Sequence, residues 1–418
     1  MKKRILIILM FFILYIPKNI FAIFEELDIN AKYYGVYMAN NLDALYESNS
    51  DQKVPIASIT KIMTAIVCID NIQDLNQTVN VNLSEVQKYY NEEYSVAGLR
   101  DSQEISYYDL IATMLIPSGA DSAACIAINV FGDYSKFIEA MNKKAKEIGM
   151  NSTSFTNPIG ADDQNNYSTV YDVALMMKYA LDNDIIKDLM SRYEYTINDG
   201  SITVHNALFI LADLYGLDVS KIAGGKTGMT GDAGYCLATY SNSEENPIIC
   251  IVLGCDIIRG RLPHIEDSQK IYNYVDENYV LRNIVEKGEK LITLPTYHSK
   301  KNSIEVSAVD NISIYMSKNE EIDEDKITID YSGVNILNSD NKKGDIIGKA
   351  HVFYGEKYVG DVDIVLEEDV PFSIFSWSKD NLQYILIAEI CLIGIILIIY
   401  KKYYRNKKEL KYAKYFKI

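Results

Sequence analysis

The chain has 418 residues, of which 48% are hydrophobic and 23% are charged, and its formal net charge is −16. This composition excludes an intrinsically disordered protein and leaves room for roughly two to three globular domains. The acidic balance, without a basic stripe interleaved with aromatic residues, excludes nucleic acid as the expected partner.

Residues 1–22 have the layout of a secretory signal peptide. A cationic start is followed by an apolar run from Ile5 to Ile16 and by the small Ala22, which precedes the polar stretch EELD. We expect cleavage after Ala22, and a retained N-terminal anchor is the alternative. The next segment, residues 33–47, is predicted to form two short strands joined by a turn.

From Ser58 to about Leu189 the pattern predicts mainly helices, with Ser168 or Thr169 as the N-cap of the last one. The helical runs are ITKIMTAIVCIDNI, YYDLIATMLI, DSAACIAINVFG, YSKFIEAMNKKAKEIG and STVYDVALMMKYALDN. Strands return in GGKTGMT, GDAGYCLATYSN and PIICIVLGC, and a final helix in IEDSQKIYNYVDENY closes the unit. A sheet built from both ends, with helices inserted between them, predicts an α+β domain over residues 23–291.

The C-terminal part is predicted to contain a second domain and a membrane anchor. After LPTYHSKKNS, interpreted as a linker, alternating apolar residues predict a small β-rich domain over residues 292–371. Residues 382–400 are apolar apart from Gln383 and Glu389 and are long enough for one membrane-spanning helix; a buried core helix is the alternative.

The flanks of this segment predict its orientation and its place in the cell. Residues 401–418 carry eight Lys or Arg and one Glu, so we expect a cytoplasmic tail, a single-pass cell-membrane protein and an extracytoplasmic catalytic domain. Glu389 is expected to be protonated, to pair with another chain, or simply to be tolerated. Six cysteines without framework spacing predict mostly buried free thiols, and four scattered histidines predict no metal or other cofactor.

Ser58 and Lys61 form a Ser-x-x-Lys motif at the start of the first predicted helix. Residues three apart share a helix face, so we expect the hydroxyl and the amine to meet. A buried lysine near other cations releases its proton readily and can then activate a serine as a nucleophile. The alternative is a capping serine beside a lysine that extends to solvent. Ser50 and Lys53 match the same pattern in a polar stretch that predicts neither helix nor burial.

Two further motifs carry chemistry. PSGAD forms a loop between two apolar helices, in which Ser118 is expected to pass a proton; capping of the next helix by Ser118 or Asp121 is the alternative. GGKTG opens a strand, where Lys226 offers a positive charge and Thr227 a hydroxyl donor. Its glycines, including Gly228, leave room for the close approach of a substrate backbone.

In this order the three motifs resemble those of the penicillin-recognising serine enzymes. The sequence around the motifs is similar to that of the low-molecular-mass D-alanyl-D-alanine carboxypeptidases. The similar segments are PIASITKIMTA, SGADSAA, TSFTNPIGADDQNNYST, HNALF, GGKTGMTGDAGYCLAT and IVLGC. The resemblance implies a DD-peptidase/serine β-lactamase-like fold, in which an antiparallel sheet carries an inserted helical subdomain. A small β-rich domain and a C-terminal transmembrane helix would follow.

The resemblance also implies catalytic roles. Ser58 would attack the carbonyl between the two D-alanines of a peptidoglycan stem peptide, with Lys61 as general base and Ser118 as the relay of the proton to the leaving amine. Water would then cleave the acyl-enzyme, and β-lactams would act as inhibitors. The sequence leaves the preferred stem peptide, the stage of growth and the oligomeric state open.

Substrate binding is implied for the strand motif. Lys226 and Thr227 would hold the terminal carboxylate, beside Gly228. The backbone N–H groups of Ser58 and Met229 would form the oxyanion hole.

One position departs from the family pattern. Ala120 stands where the family usually has an asparagine, whose side chain donates a hydrogen bond to the substrate. A donor of this kind is worth about 1–3 kcal/mol. We expect Asp121 to compensate in part, and activity to survive because Ser58, Lys61 and Ser118 are all present.

Three alternatives remain. A class A β-lactamase would need a carboxylate that activates the deacylating water, and the stretch GADDQNNYST offers only Asp162 or Asp163 without that enzyme's pattern. A non-catalytic wall or β-lactam sensor would explain Ala120. A D,D-endopeptidase or weak transpeptidase is the nearest enzymatic alternative.

Overall fold

The structure is a computed structural model that describes residues 27–91, 94–243 and 247–415, with side chains described to residue 408. The predicted signal peptide lies outside the described residues. The described chain divides into two compact units: one extends to Leu281 and includes Tyr315–Glu320, and the other comprises Arg282–Ile314 and the described residues from Glu321 onward.

The first unit combines helices with short and long strands. Its helices are α1 (Lys61–Asn71), α2 (Leu83–Val86), α3 (Tyr107–Leu115), α4 (Ala120–Asn129), α5 (Tyr134–Glu147), α6 (Val170–Leu181), α7 (Asp184–Ser191), α8 (Ala207–Tyr215) and α9 (Pro263–Asn278). Its strands are β1 (Tyr33–Met38), β2 (Ala44–Ser48), β3 (Thr78–Asn80), β4 (Glu104–Ser106), β5 (Glu194–Thr196), β6 (Thr203–His205), β7 (Ile222–Thr230), β8 (Gly234–Ser241) and β9 (Ile248–Cys255).

The central sheet has five antiparallel strands in the order β2-β1-β9-β8-β7. Strand β1 pairs with β9, with Gly35 opposite Ile251, so both ends of the unit build one sheet around the helical insertion. The predicted α+β architecture is confirmed. Strand β7 forms one edge of the sheet, and its residues Thr227, Gly228 and Met229 line the cavity described below.

The sheet separates two hydrophobic clusters. Successive residues of a strand point to opposite faces, and β9 places Ile249 and Ile251 in the cluster with the helical insertion and Cys250 and Val252 in the cluster with α9. All of the first eight residues of α1 are buried. A lysine in the first turn of this helix is therefore removed from water.

Local signals explain where several helices begin. The Thr169 hydroxyl accepts from Asp172 N and caps α6, as one of the two predicted alternatives has it. Helix α8, which the sequence analysis did not identify, is capped by Asn206 and ends at Gly216 in a left-handed conformation. Its composition is apolar on every side, so it shows little of the helical periodicity on which the prediction relied.

The second unit has its own five-stranded sheet in the order β11-β12-β16-β15-β14. Its strands are β11 (Lys290–Pro295), β12 (Ser303–Ala308), β14 (Ile327–Gly333), β15 (Ile346–Tyr354) and β16 (Lys357–Val365). Two strands that do not belong wholly to either unit, β10 (Tyr279–Val285) and β13 (Ile312–Ser317), pair with each other in a separate two-stranded sheet. The linker prediction for LPTYHSKKNS is wrong at its start, because Leu294 belongs to β11, pairs with Ile304 and is buried.

Two helices, α10 (Ile374–Asp380) and α11 (Leu382–Tyr415), end the described chain. Within α11, Leu382–Lys408 is long and apolar enough to cross a membrane, with a hydropathy of 2.6. All six cysteines are free thiols, five of them buried and Cys391 exposed, which confirms the cysteine prediction.

Candidate active site

Ser58 lies in a single 3-10 turn, Ala57–Thr60, that leads into α1. The turn is fixed from two sides by glycines that leave no space for a side chain. A Cβ on Gly160 would lie 1.8 Å from the Ala57 carbonyl oxygen, and a Cβ on Gly228 would lie 3.0 Å from Ser58 N. Ala57 itself has φ 48°, which is a strained backbone conformation for a residue with a side chain. Two separate segments therefore hold the Ser58 turn in place.

Lys61 is the first residue of α1 and is 1% exposed. Its Nζ donates to Ser58 Oγ at 2.8 Å and to the Ile159 carbonyl oxygen at 2.9 Å. Burial, followed by the charge of Lys226, holds the pKa of the Lys61 ammonium well below its usual range, and Asp121 opposes this in part. A neutral amine at this distance can accept the Ser58 proton.

Ser118 lies in the loop between α3 and α4, is largely buried and has φ 71°. A non-glycine residue in this left-handed region is strained, which fits a side chain positioned for a purpose other than packing. Ala120 begins α4, and its N–H donates to the Ser95 carbonyl oxygen at 2.8 Å.

Asp121 does not compensate for the missing asparagine. It is 1% exposed, and its carboxylate accepts from the backbone N–H groups of Ala97, Gly98 and Leu99 at 2.8, 2.9 and 3.0 Å. The prediction is wrong because these contacts occupy the carboxylate. Asp121 instead anchors the segment that passes beside Ser118.

Lys226 lies on the edge strand β7 and is also 1% exposed. Its ammonium donates to the Thr227 carbonyl oxygen at 3.0 Å, and burial lowers its pKa to about 7. The charge on this side chain therefore changes close to neutral pH.

The structure brings the predicted residues to one cavity of about 290 Å³. Five of them line it, namely Ser58, Ser118, Thr227, Gly228 and Met229. Lys61 lies beneath the cavity in contact with the serine hydroxyl. Lys226, a buried residue of the edge strand that does not line the cavity, acts on Lys61 through its charge.

Further lining residues were missed by the sequence analysis. Ser95, Tyr235 and His264 line the same cavity, together with side chains of α8. His264 lies 206 positions after Ser58 in the second residue of a helix, where nothing in its local sequence sets it apart. Only the register of β8 on β7, which places Tyr235 opposite Met229, brings this region to the site.

The two aspartates considered for β-lactamase chemistry are engaged elsewhere. Thr230 Oγ1 donates to Asp162 Oδ1 at 2.5 Å, and Asp163 Oδ1 accepts from Asn165 N at 2.7 Å within its own loop. Among the described residues that line the cavity there is no carboxylate. The geometry thus offers no positioned base of the kind that a class A β-lactamase uses.

Known proteins resemble the chain over both units. The sequence profile described as D-alanyl-D-alanine carboxypeptidase matches residues 21–256, and that of the penicillin-binding protein 5 C-terminal domain matches residues 279–371. D-alanyl-D-alanine carboxypeptidase DacF of Bacillus subtilis is 27% identical over 289 residues, covering 68% of this chain and 71% of that protein. A D-alanyl-D-alanine endopeptidase of Escherichia coli is 29% identical over 247 residues, covering 58% and 76%. The structure of penicillin binding protein 5 from Haemophilus influenzae matches with a TM-score of 0.64 and 26% identity, covering 82% of this chain and 98% of that one.

Proposed function

Because the chain belongs to the D-alanyl-D-alanine carboxypeptidase family, we propose that it removes the terminal D-alanine from peptidoglycan stem pentapeptides by way of an acyl-enzyme on Ser58. The observation that carries the proposal is the 2.8 Å contact between Lys61 Nζ and Ser58 Oγ at the floor of the cavity. The lowered pKa of Lys61 supports its role as general base.

In the proposed first step, Lys61 takes the proton of Ser58 as its oxygen attacks the penultimate carbonyl. The backbone N–H groups of Ser58 and Met229 stabilise the oxyanion. Ser118 passes the proton to the departing amine, and the C–N bond breaks to release D-alanine. A water molecule then attacks the ester and Lys61 takes its proton; the ester C–O bond breaks, Lys61 returns the proton to the Ser58 oxygen, and the shortened peptide leaves as a carboxylic acid.

Substrate binding is proposed along the open edge of β7. An extended peptide can add to a sheet edge through main-chain hydrogen bonds, and β7 carries Lys226, Thr227 and Gly228 at this edge. Thr227 and Lys226 would hold the terminal carboxylate. With Ala120 in place of an asparagine, the acyl side of the substrate has one fewer donor.

β-Lactams would acylate the same serine and inhibit the enzyme. We further propose that residues 382–400, within the apolar helix Leu382–Lys408, anchor the protein in the cell membrane, with the basic tail of residues 401–418 in the cytoplasm and the catalytic unit outside.

The proposal is tested with the full-length protein in detergent, by measuring D-alanine release from a stem pentapeptide and labelling by a fluorescent penicillin. Ser58→Ala is expected to abolish both reactions. Labelling of the wild type without release would refute carboxypeptidase activity and favour a sensor. Cleavage of a cross-linked peptide dimer in preference to the pentapeptide would favour the endopeptidase activity for which the Escherichia coli relative is named.

A further inference from the structure

The cavity above Ser58 has a second wall that the proposed mechanism does not use. Helix α8, the end of the β7–β8 hairpin and the start of α9 build this wall. Its side chains are Leu211, Tyr215, Tyr235, Leu262 and His264. They are aliphatic or aromatic, and their polar atoms are the two phenol hydroxyls and the imidazole nitrogens.

His264 is buried with an unsatisfied nitrogen. The residue is 1% exposed, and its ring stacks on Tyr235 with the ring centroids 4.7 Å apart and the planes 7° apart. Its Nδ1 is buried and has no hydrogen-bond partner among the described residues. Buried polar atoms are nearly always paired in folded proteins, so an unpaired one beside a cavity points to a partner supplied by a ligand.

The imidazole is suited to hydrogen bonding rather than to proton transfer. Burial lowers the pKa of His264 to about 4, and the nearby charge of Glu266 opposes this only in part. A neutral imidazole carries one N–H donor and one acceptor nitrogen. The place of the base at Ser58 is already taken by Lys61.

The position along β7 indicates which end of the substrate lies nearest. Met229 pairs with Tyr235 across the hairpin, and the His264 ring stacks on the ring of Tyr235. The imidazole therefore lies beside β7, just beyond Thr227 and Gly228. This is the side that holds the leaving residue in the proposed function. Among the described residues that line the cavity there is no lysine or arginine, so a hydrogen-bond donor in this wall would add to the charge that Lys226 supplies from β7.

We propose that His264 binds the terminal carboxylate of the leaving D-alanine together with Thr227, an inference that rests on the proposed function. A carboxylate accepts several hydrogen bonds, and the threonine hydroxyl and the imidazole N–H supply two of them. The aromatic wall keeps water away, which strengthens both hydrogen bonds. Tyr235 holds the imidazole plane by stacking.

The test compares two stem-peptide donors that end in D-alanyl-D-alanine, one with a free carboxylate and one with a C-terminal amide. His264→Phe keeps a flat ring on Tyr235 but removes the N–H, whereas His264→Gln keeps a donor. We expect His264→Phe to lower kcat/KM about 10- to 100-fold for the acid donor and less than about 2-fold for the amide donor. His264→Gln should lose less activity toward the acid donor.

Equal losses on both donors would mean that His264 serves only the packing of the wall, and no loss on the acid donor would mean that it does not bind the carboxylate. Either result overturns the inference while the proposed function stands. A wild type that releases no D-alanine would instead refute the proposed function. The same comparison would then use acylation rates with benzylpenicillin and its methyl ester, and a wild type inert to both would overturn the inference as well.

Discussion

Replacing Lys226 by methionine is expected to stabilise the fold while abolishing activity. The unfolded lysine keeps its proton up to its ordinary pKa of 10.5, whereas the folded one releases it above about 7. The unfolded chain therefore binds more protons throughout this window, and stability rises as the pH rises through it. At pH 8 the folded side chain is mostly neutral, and removing the proton from the unfolded lysine costs about 3 kcal/mol.

Methionine has a similar volume and carries no charge, so the variant escapes this cost and loses only the hydrogen bond to the Thr227 carbonyl, worth about 1 kcal/mol. The net gain at pH 8 is about 2 kcal/mol, which corresponds to a rise in Tm of roughly 4–8 °C for a unit of this size.

The assay is thermal unfolding of the full-length protein in detergent at pH 8 and at pH 11. The gain from Lys226→Met should disappear at pH 11, where the lysine is neutral in both states. Lys143→Met, at a side chain that is 80% exposed, serves as the control and should change Tm little at either pH. A Tm that does not rise at pH 8, or a gain that persists unchanged at pH 11, would refute the reasoning.

Three further predictions concern activity. The wild-type kcat/KM for D-alanine release should fall as the pH rises through about 7, where Lys226 loses its proton. Lys226→Arg should extend activity to higher pH because a guanidinium stays protonated. If kcat/KM of this variant falls at the same pH as that of the wild type, the prediction is contradicted. Ala120→Asn should raise kcat/KM for the pentapeptide about 5- to 100-fold by restoring a side-chain donor, and an unchanged rate in a folded variant would show that the position is not limiting. Gly160→Ala should prevent penicillin labelling of Ser58, because the new Cβ has no room, whereas Gly132→Ala, which also has positive φ but open space, should label normally; equal loss in both would implicate backbone strain rather than contact.

The strands and helices whose apolar residues recur with a regular period could be predicted from the sequence. The alternation in residues 33–47 and the apolar runs after Ser58 predicted strands and helices close to those observed. The spacing of Ser58 and Lys61 predicted their contact, because residues three apart share a helix face. Ser118 was predicted in a loop between two helices, and it lines the same cavity as Ser58. The roles of these residues remain predictions until they are measured.

Features that depend on distant contacts were not predictable in the same way. Asp121 was assigned toward the substrate, but its carboxylate binds backbone N–H groups more than twenty positions earlier in the chain. Gly160 limits the Ser58 turn through a contact about a hundred residues away in sequence. His264 reaches the cavity through the pairing of β7 with β8 and the packing of α9. A local sequence pattern cannot predict these contacts, because each contact depends on how a distant segment packs in the folded chain.

The pairing of β1 with β9 bears on when the chain can first act. Gly35 and Ile251 are more than two hundred positions apart, so β1 can pair with β9 only after the whole helical insertion has been made. Closing so large a loop is slow compared with forming local helices. A partly synthesised chain therefore holds Ser58 and Lys61 but has no edge strand against which to place a peptide. The chain can therefore become an active hydrolase only late in folding, when β7, β8 and β9 have joined β1 in the central sheet.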